Sequence, residues 1–453
     1  MYDVIILGAG SAGLNAASIF RKKDANYLIV HHGFKGTTCA SRGCMPSKAF
    51  IQVAKSFHER RKFNDFGING GDQLNVNIPH AMAHVRSLRD RFAGGIINGM
   101  DKYNIIYGQS RFIDPETIEV AGKRYQAKAF IICTGTSPSI PAPYKPYAND
   151  MLTTDNFFDQ KDFPARIAVI GMGAIGIELG QALARLGVKV TGINRSNKIA
   201  GLKDAEILSV AKDILSEDLD LILCKDVTKV EKRGNGYTLH LETQKIECDK
   251  ILLAAGRVPN LDGLGLEDIG VKFADNGLPA IDLNTLKIDN FSIYLSGDVN
   301  AYRPLLHEAS DESEIVASQL LELKNPKRRV PLQITFTDPV IAQIGQQPDD
   351  IEEEIVTGSV SYDNQGRARI MGENRGMLKV YASKRNQVIL GACMIAPGGE
   401  HLSHLLALAV QQKLTVAQLL EFPFYHPVLE EGLRTALQHI SDPCRDCVTD
   451  RLC

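Results

Sequence analysis

The sequence predicts an α/β chain of two nested Rossmann-like domains followed by a C-terminal α+β domain. Two observations carry the nested pair. A strand–glycine turn–helix–strand unit opens the chain as DVIILGAGSAGLNAASIFRKKDANYLIV and returns as RIAVIGMGAIGIELGQALARLGVKVTGI. Each copy is followed at a distance by an apolar strand closing on a glycine, first KAFIICTGTSPSIP and then DKILLAAGRVPN. The third observation is a change of texture near residue 330, where alternating strands (ITFTDPVIAQIG, GMLKVYAS, VILGACMIA) precede two helical segments, HLSHLLALAVQQK and LEEGLRTALQHI.

In the first copy the turn is made by Gly8, Gly10 and Gly13, and in the second by Gly171, Gly173 and Gly176. Each stands in a unit of about 30 residues, the context that a dinucleotide fingerprint requires. Glycine lets the backbone approach a pyrophosphate, whose charge meets the helix N-terminus. A third apolar strand, SIYLSGDVN, sets Asp298 at a strand end just after Gly297. The expected division is therefore 1–145 with 284–330 as a first, interrupted domain and 146–283 as a second. Residues 331–453 form the third, with a cysteine-containing tail at 441–453.

At 453 residues the chain exceeds one core, and its 44% hydrophobic and 23% charged residues are those of an ordinary globular protein. A net charge of −2 gives no reason to expect nucleic acid or an anionic membrane as partner. No apolar run reaches the roughly 18 residues of a spanning helix, and MYDVIILGAG reads as a first strand and not as a signal peptide. Nine cysteines thinly spread argue for a reducing compartment, and a cytoplasmic location is expected.

The segment GTTCASRGCMPSKAF holds Cys39 and Cys44 with four residues between them. From spacing alone it could be a metal loop, a structural staple or a working disulfide. Pro46 suits the first turn of a helix, which would place Cys44 at a helix N-terminus. There the dipole depresses a thiol's pKa and favours the reactive thiolate.

Taken together, Cys-x4-Cys-x-Pro-Ser-Lys, both glycine turns, CTGTSP, AAGRVPN, YLSGDV and YHPVLEE occur in an order that resembles the flavin-dependent pyridine nucleotide–disulfide oxidoreductases. Among these the chain is most similar to the dihydrolipoamide dehydrogenases, from Tyr2 to about Ile440. The resemblance implies FAD in the first domain, NAD(P)H in the second, and a homodimer whose active site is shared between subunits. It implies a redox disulfide, with Cys39 exchanging with substrate and Cys44 facing the flavin as thiolate. Lys48 would lie near the flavin with Glu178 as its partner, and a cation there stabilises the electron-rich reduced ring. His426, oriented by Glu431, would be the acid–base of thiol exchange, supplied by the partner subunit. Asp298 would bind the flavin's ribityl chain, and Thr38, Gly135 and Gly256 would line the nucleotide sites. The substrate implied is a small or protein-bound disulfide or dithiol, lipoamide first, and no resident metal is expected.

The chain departs from that pattern at several positions. His31 and Asn194 each stand 23 residues after the first glycine of their turn, where a carboxylate usually holds ribose hydroxyls. NRSNK also brings Arg195 and Lys198, cations that suit a 2′-phosphate and lean towards NADPH, against which stands Gly176 as the third glycine. GTTC replaces GGTC, Ala174 replaces a bulky aromatic, and Phe424 replaces a second histidine. The alternative enzyme reading is a mercuric reductase-like protein or a disulfide reductase with a C-terminal cysteine relay. The non-enzymatic alternative is a redox flavoprotein. In the tail, Cys444, Cys447 and Cys453 admit a redox relay, a zinc site with His439, or incidental thiols.

Overall fold

The computed structural model describes residues 1–33, 36–324 and 326–442, so Cys444, Cys447 and Cys453 lie outside the described residues. The chain opens with β1 (Tyr2–Leu7), α1 (Ser11–Lys22) and β2 (Tyr27–His31). The last four residues of β1 are all buried because both faces of a parallel sheet are covered. Val4 and Ile6 pack with Ala12, Ala16 and Phe20 of α1, while Ile5 and Leu7 pack on the opposite side with Phe130 and Ile132.

The cysteine segment then forms two helices, α2 (Thr38–Arg42) and α3 (Cys44–His58), and a long helix α4 (Ile78–Met100) comes after them. Next are β3 (Ile105–Tyr107) and a meander of β4 (Ser110–Asp114), β5 (Thr117–Val120) and the first part of β6 (Lys123–Ile132). The second part of β6 runs parallel to β1, so the main sheet reads β3-β2-β1-β6. A short β7 (Thr136–Pro138) leads out of it.

The second unit repeats this plan with β8 (Arg166–Ile170), α5 (Ala174–Arg185), β9 (Lys189–Ile193), α6 (Ala205–Leu215) and β10 (Asp220–Ile222). A meander of β11 (Lys229–Arg233), β12 (Gly236–His240) and β13 (Lys245–Cys248) precedes β14 (Lys250–Leu253). The parallel order is β10-β9-β8-β14. β15 (Arg257–Pro259) then pairs antiparallel with β7, which joins the exits of the two units. Leu261, Leu264, Leu266 and Val271 pack among Ile5, Leu7 and Phe130 of the first sheet, and β16 (Ile293–Leu295) adds to β6. The first domain is thus interrupted and resumed, closed by α7 (Leu306–Leu320) against α1.

The third unit is a five-stranded antiparallel sheet ordered β17-β18-β21-β20-β19. Its strands are β17 (Leu332–Thr335), β18 (Val340–Gly345), β19 (Ile355–Ser361), β20 (Met377–Ser383) and β21 (Ile389–Ala396). Helices α8 (Gly366–Ile370), α9 (Gly399–Gln411), α10 (Val416–Leu420) and α11 (Glu431–Ser441) complete it. ITFTDPVIAQIG proves to be two strands, because a turn with a cis Asp338–Pro339 bond divides it. β19 and α10 were not anticipated. Among the described residues, no helix is long and apolar enough to cross a membrane.

Candidate active site

A cleft of about 2160 Å³ runs between the three units. It is lined by Gly8, Gly10, Thr38, Cys39, Cys44, Lys48, Gly135 and Asp298 from the first, and by Gly171, Gly173, Glu178, Asn194, Arg195 and Gly256 from the second. Helices α1 and α5 both begin at these glycines with no side-chain cap, so their first amides are open to a ligand. Gly13 and Gly176 lie beneath the turns. A Cβ on either would stand 1.9 Å from the carbonyl oxygen of Gly8 or Gly171, so each turn needs its third glycine.

His31 and Asn194 do the same thing at the ends of β2 and β9. The backbone N–H of Ala9 donates to His31 Nδ1 at 3.3 Å, and that of Met172 to Asn194 Oδ1 at 3.3 Å. Asn194 Nδ2 is spent on its own loop, donating to Ser196 O at 3.1 Å and Lys198 O at 2.9 Å. Arg195 and Lys198 are exposed, and only Arg195 reaches the cleft.

Cys39 sits in α2 and Cys44 is the first residue of α3, with Pro46 buried in the first turn. Both are free thiols in contact with one another. The Cys39 thiol donates to Cys44, which pulls Cys44 down to about 7 against the opposing effect of burial, and Lys48 adds to the fall. The same hydrogen bond and burial push Cys39 up. The pair therefore titrates in two well-separated steps, the first proton leaving Cys44.

Lys48 is one helical turn beyond Cys44 and donates to Glu178 Oε2 at 2.8 Å. Glu178, only 6% exposed, also accepts the Phe336 N–H on Oε1 at 2.8 Å, and the Phe336 ring lies 4.5 Å from Lys48 Nζ. Asp298 begins a short turn after β16, and burial raises its pKa while Arg257 opposes that rise. Glu312 accepts from Gly297 N at 2.7 Å and from Asn300 Nδ2 at 2.7 Å, which holds this turn at both sides.

His426 and Glu431 are paired with each other but stand outside the cleft. His426 Nδ1 is 2.9 Å from Glu431 Oε1, and the other carboxylate oxygen accepts Val428 N at 3.1 Å. Burial raises the Glu431 pKa, and these two hydrogen bonds outweigh it, so the carboxylate stays ionised. The His426 side chain is 81% exposed. One subunit alone does not bring this pair to the cysteines.

Residues 2–313 match the pyridine nucleotide-disulphide oxidoreductase family, and residues 332–437 match that family's dimerisation domain. The chain belongs to this family. A mercuric reductase of Staphylococcus aureus is 32% identical over 96% of this chain and 82% of that one. A dihydrolipoyl dehydrogenase of Thermus scotoductus is 30% identical over 96% of this chain and 97% of its own length. In fold, the chain superposes on the HOCl-induced flavoprotein disulfide reductase RclA of Escherichia coli with a TM-score of 0.85, at 21% identity over 96% and 99% of the two chains. LpdA of Mycobacterium tuberculosis gives a TM-score of 0.86 at 24% identity, covering 97% and 99%.

Oxidoreductases of this family depend on FAD and a pyridine nucleotide. The cleft fits two such groups. Each uncapped helix end offers amides to a pyrophosphate, and a Cβ at Gly173, Gly135 or Gly256 would meet nothing within 4 Å, so space lies open where a ligand would run. Arg257, Phe336 and Glu312 are contributors that sequence reasoning did not single out. Arg257 was visible within AAGRVPN, whereas Phe336 and Glu312 carry no local signal.

Proposed function

We propose that the protein is an NAD(P)H-dependent disulfide reductase of the dihydrolipoamide dehydrogenase type, exchanging Cys39 with a dithiol or disulfide such as lipoamide. The observation that carries this reading is the His426–Glu431 pair at 2.9 Å, because only thiol exchange needs a base of that kind. On this reading residues 1–145 with 284–330 bind FAD, 146–283 bind the nicotinamide nucleotide, and 331–453 dimerise. The partner subunit's His426 then serves the cysteines.

Bound FAD would supply the two-electron path between nicotinamide and the cysteine pair. In the reducing direction the partner's His426 takes the Cys39 proton, the Cys39 sulfur attacks a substrate sulfur to form a mixed disulfide, and the expelled thiolate receives that proton back from the histidine. Cys44, at its helix N-terminus, then attacks Cys39 Sγ as thiolate, expels the second substrate sulfur as a thiolate that takes a proton from solvent, and closes the Cys39–Cys44 disulfide. Two electrons from NAD(P)H reopen it. Lys48, held by Glu178, supplies a cation to the thiolate of Cys44 and to the electron-rich side of the site. Asp298 would hold the polyol of the cofactor, while Thr38, Gly135 and Gly256 would line the nucleotides.

For the nucleotide we favour NADPH. Asn194 offers one neutral oxygen, already accepting the Met172 N–H, where two ribose hydroxyls are better met by a carboxylate, and Arg195 on the cleft wall suits a 2′-phosphate. A second reading, mercuric ion reduction, is favoured by the 32% identical relative of that name. The test is anaerobic reduction of the holoenzyme by NADPH or NADH, then oxidation by lipoamide, glutathione disulfide, coenzyme A disulfide or mercuric ion. Lipoamide should reoxidise it fastest. Flavin reduced by nucleotide with no electrons reaching any disulfide would sink the proposal, and exclusive turnover of mercuric ion would replace it.

A further inference from the structure

Helix α5 is buried all round, yet three polar residues interrupt its apolar sequence: Glu178, Gln181 and Arg185, at 6%, 3% and 9% exposure. Spaced three and four residues apart, they form one stripe on the helix. The whole stripe grips a single turn of the third unit, Phe336–Asp338, between β17 and β18. Glu178 takes the Phe336 N–H at 2.8 Å, and Gln181 Oε1 takes the Asp338 N–H at 2.9 Å. Gln181 Nε2 and Arg185 Nη2 return hydrogen bonds to the Asp338 carbonyl at 3.0 and 2.9 Å, and Arg185 Nη1 pairs with its carboxylate at 2.5 Å. Asp218 braces the stripe from below, accepting from Gln181 and from Arg185 Nε at 2.9 Å each.

At its upper end this ladder meets the redox pair. The turn it fixes carries the Phe336 ring, 4.5 Å from Lys48 Nζ, and the N–H that occupies one oxygen of Glu178. That leaves the other oxygen, and one geometry, for Lys48 at 2.8 Å. All three units of the chain therefore converge on the lysine that stands one turn above Cys44.

We propose that Gln181, Arg185 and Asp338 are positioning residues for the redox site, setting the Phe336 turn so that it holds Lys48 and Glu178 beside Cys44. The proposal rests on the reading of Cys44 as the thiolate and Lys48 as its cation. A purely structural reading makes the same residues interdomain glue. The molecule contains a fair comparator for that reading in Lys379, which ties the second and third units through Asp204 at 2.8 Å and Glu206 at 3.0 Å without touching the Phe336 turn.

The experiment tracks the pH dependence of Cys44 alkylation in holoenzyme carrying Cys39→Ser, which leaves Cys44 as the sole thiol of the pair. Added to that background are Lys48→Met as reference, Asp338→Asn, Phe336→Leu and Lys379→Met. Lys48→Met should raise the midpoint. Asp338→Asn and Phe336→Leu should raise it in the same direction, cutting the alkylation rate below the midpoint by about threefold to tenfold. Lys379→Met should lower the melting temperature and leave the midpoint alone. A fall in melting temperature with an unmoved midpoint in both Asp338→Asn and Phe336→Leu overturns the positioning role. An unmoved midpoint in Lys48→Met overturns the parent reading of Lys48, and the positioning role with it. Phe336→Leu keeps every backbone contact, so the test survives poor folding of Asp338→Asn.

Discussion

The two glycine modules are near copies in backbone and differ in the segments downstream of them. In both, a Cβ on the first glycine would meet the carbonyl of the crossing strand at 2.4 Å, Cys133 O for Gly8 and Ala254 O for Gly171. Both place an acceptor at the end of the second strand against the turn's first free amide. After that strand the first module runs into α2 and α3 and their two cysteines, while the second passes through an exposed basic loop into α6. Shared geometry thus offers two places for a nucleotide, and in the proposed function the divergent segments would decide which is coupled to thiols and which to a nicotinamide donor. The acceptors differ as well. His31 is buried with its ring 6.0 Å from Tyr107, whereas Asn194 is wired into its own loop.

The largest effects should come from filling the two turns one at a time. Gly13→Val should give colourless protein, because the added carbons collide with Gly8 O and the first turn cannot form. Gly176→Val should remain yellow and lose kcat/KM for NAD(P)H by at least about 100-fold, near 3 kcal/mol. Flavin absorbance and stopped-flow reduction read the two effects, and loss of flavin from both variants would mean the modules are not independent. Next in size is the coupling of the first module to thiols. Cys44→Ser should abolish disulfide turnover while NAD(P)H still bleaches the flavin.

A pH measurement refines that coupling. Cys44 is lowered to about 7, so its thiolate is lost as pH falls through that value and gained as pH rises. Alkylation of the reduced enzyme should climb roughly tenfold per unit below about 7 and level off above it. A midpoint at the ordinary thiol value would remove the Cys39 hydrogen bond and Lys48 from the account. Smaller still, Asn194→Asp should shift the NADPH to NADH preference by roughly tenfold towards NADH, since one carboxylate can serve both Met172 N–H and ribose. Smallest is His31→Leu, which leaves the Ala9 amide without its acceptor and should weaken FAD binding by about 1 kcal/mol, measured by flavin release.

Much of the site could be read from residues in line. The glycine turns, Cys39, Cys44 and Lys48 are local patterns whose spacing is dictated by one helix or one turn. Glu178, just past the second fingerprint, was named through the family resemblance and not from spacing. The stripe Gln181–Arg185 also had a signal, polar residues at helical spacing in an otherwise apolar helix, but its partner turn lies more than 150 residues away. Nothing in Phe336 or Asp338 announces that distance. β19 was missed because Ile355–Ser361 mixes serine, threonine and glycine into a strand that covers α11 on one face.

Local sequence was therefore enough for the two nucleotide folds and the close spacing of the two thiols, since each depends on side chains within a turn or two of one another, whereas the pairing of His426 with Glu431 was named through the family resemblance. Packing settled the rest. It chose which acceptors close the glycine turns, bound Lys48 to a carboxylate 130 residues on, and pinned both to a turn from the third unit. It also left His426 exposed and away from the cysteines of its own chain. The physical reason is that buried polar groups must find partners wherever tertiary structure brings them, and contacts across domains leave no period in the sequence.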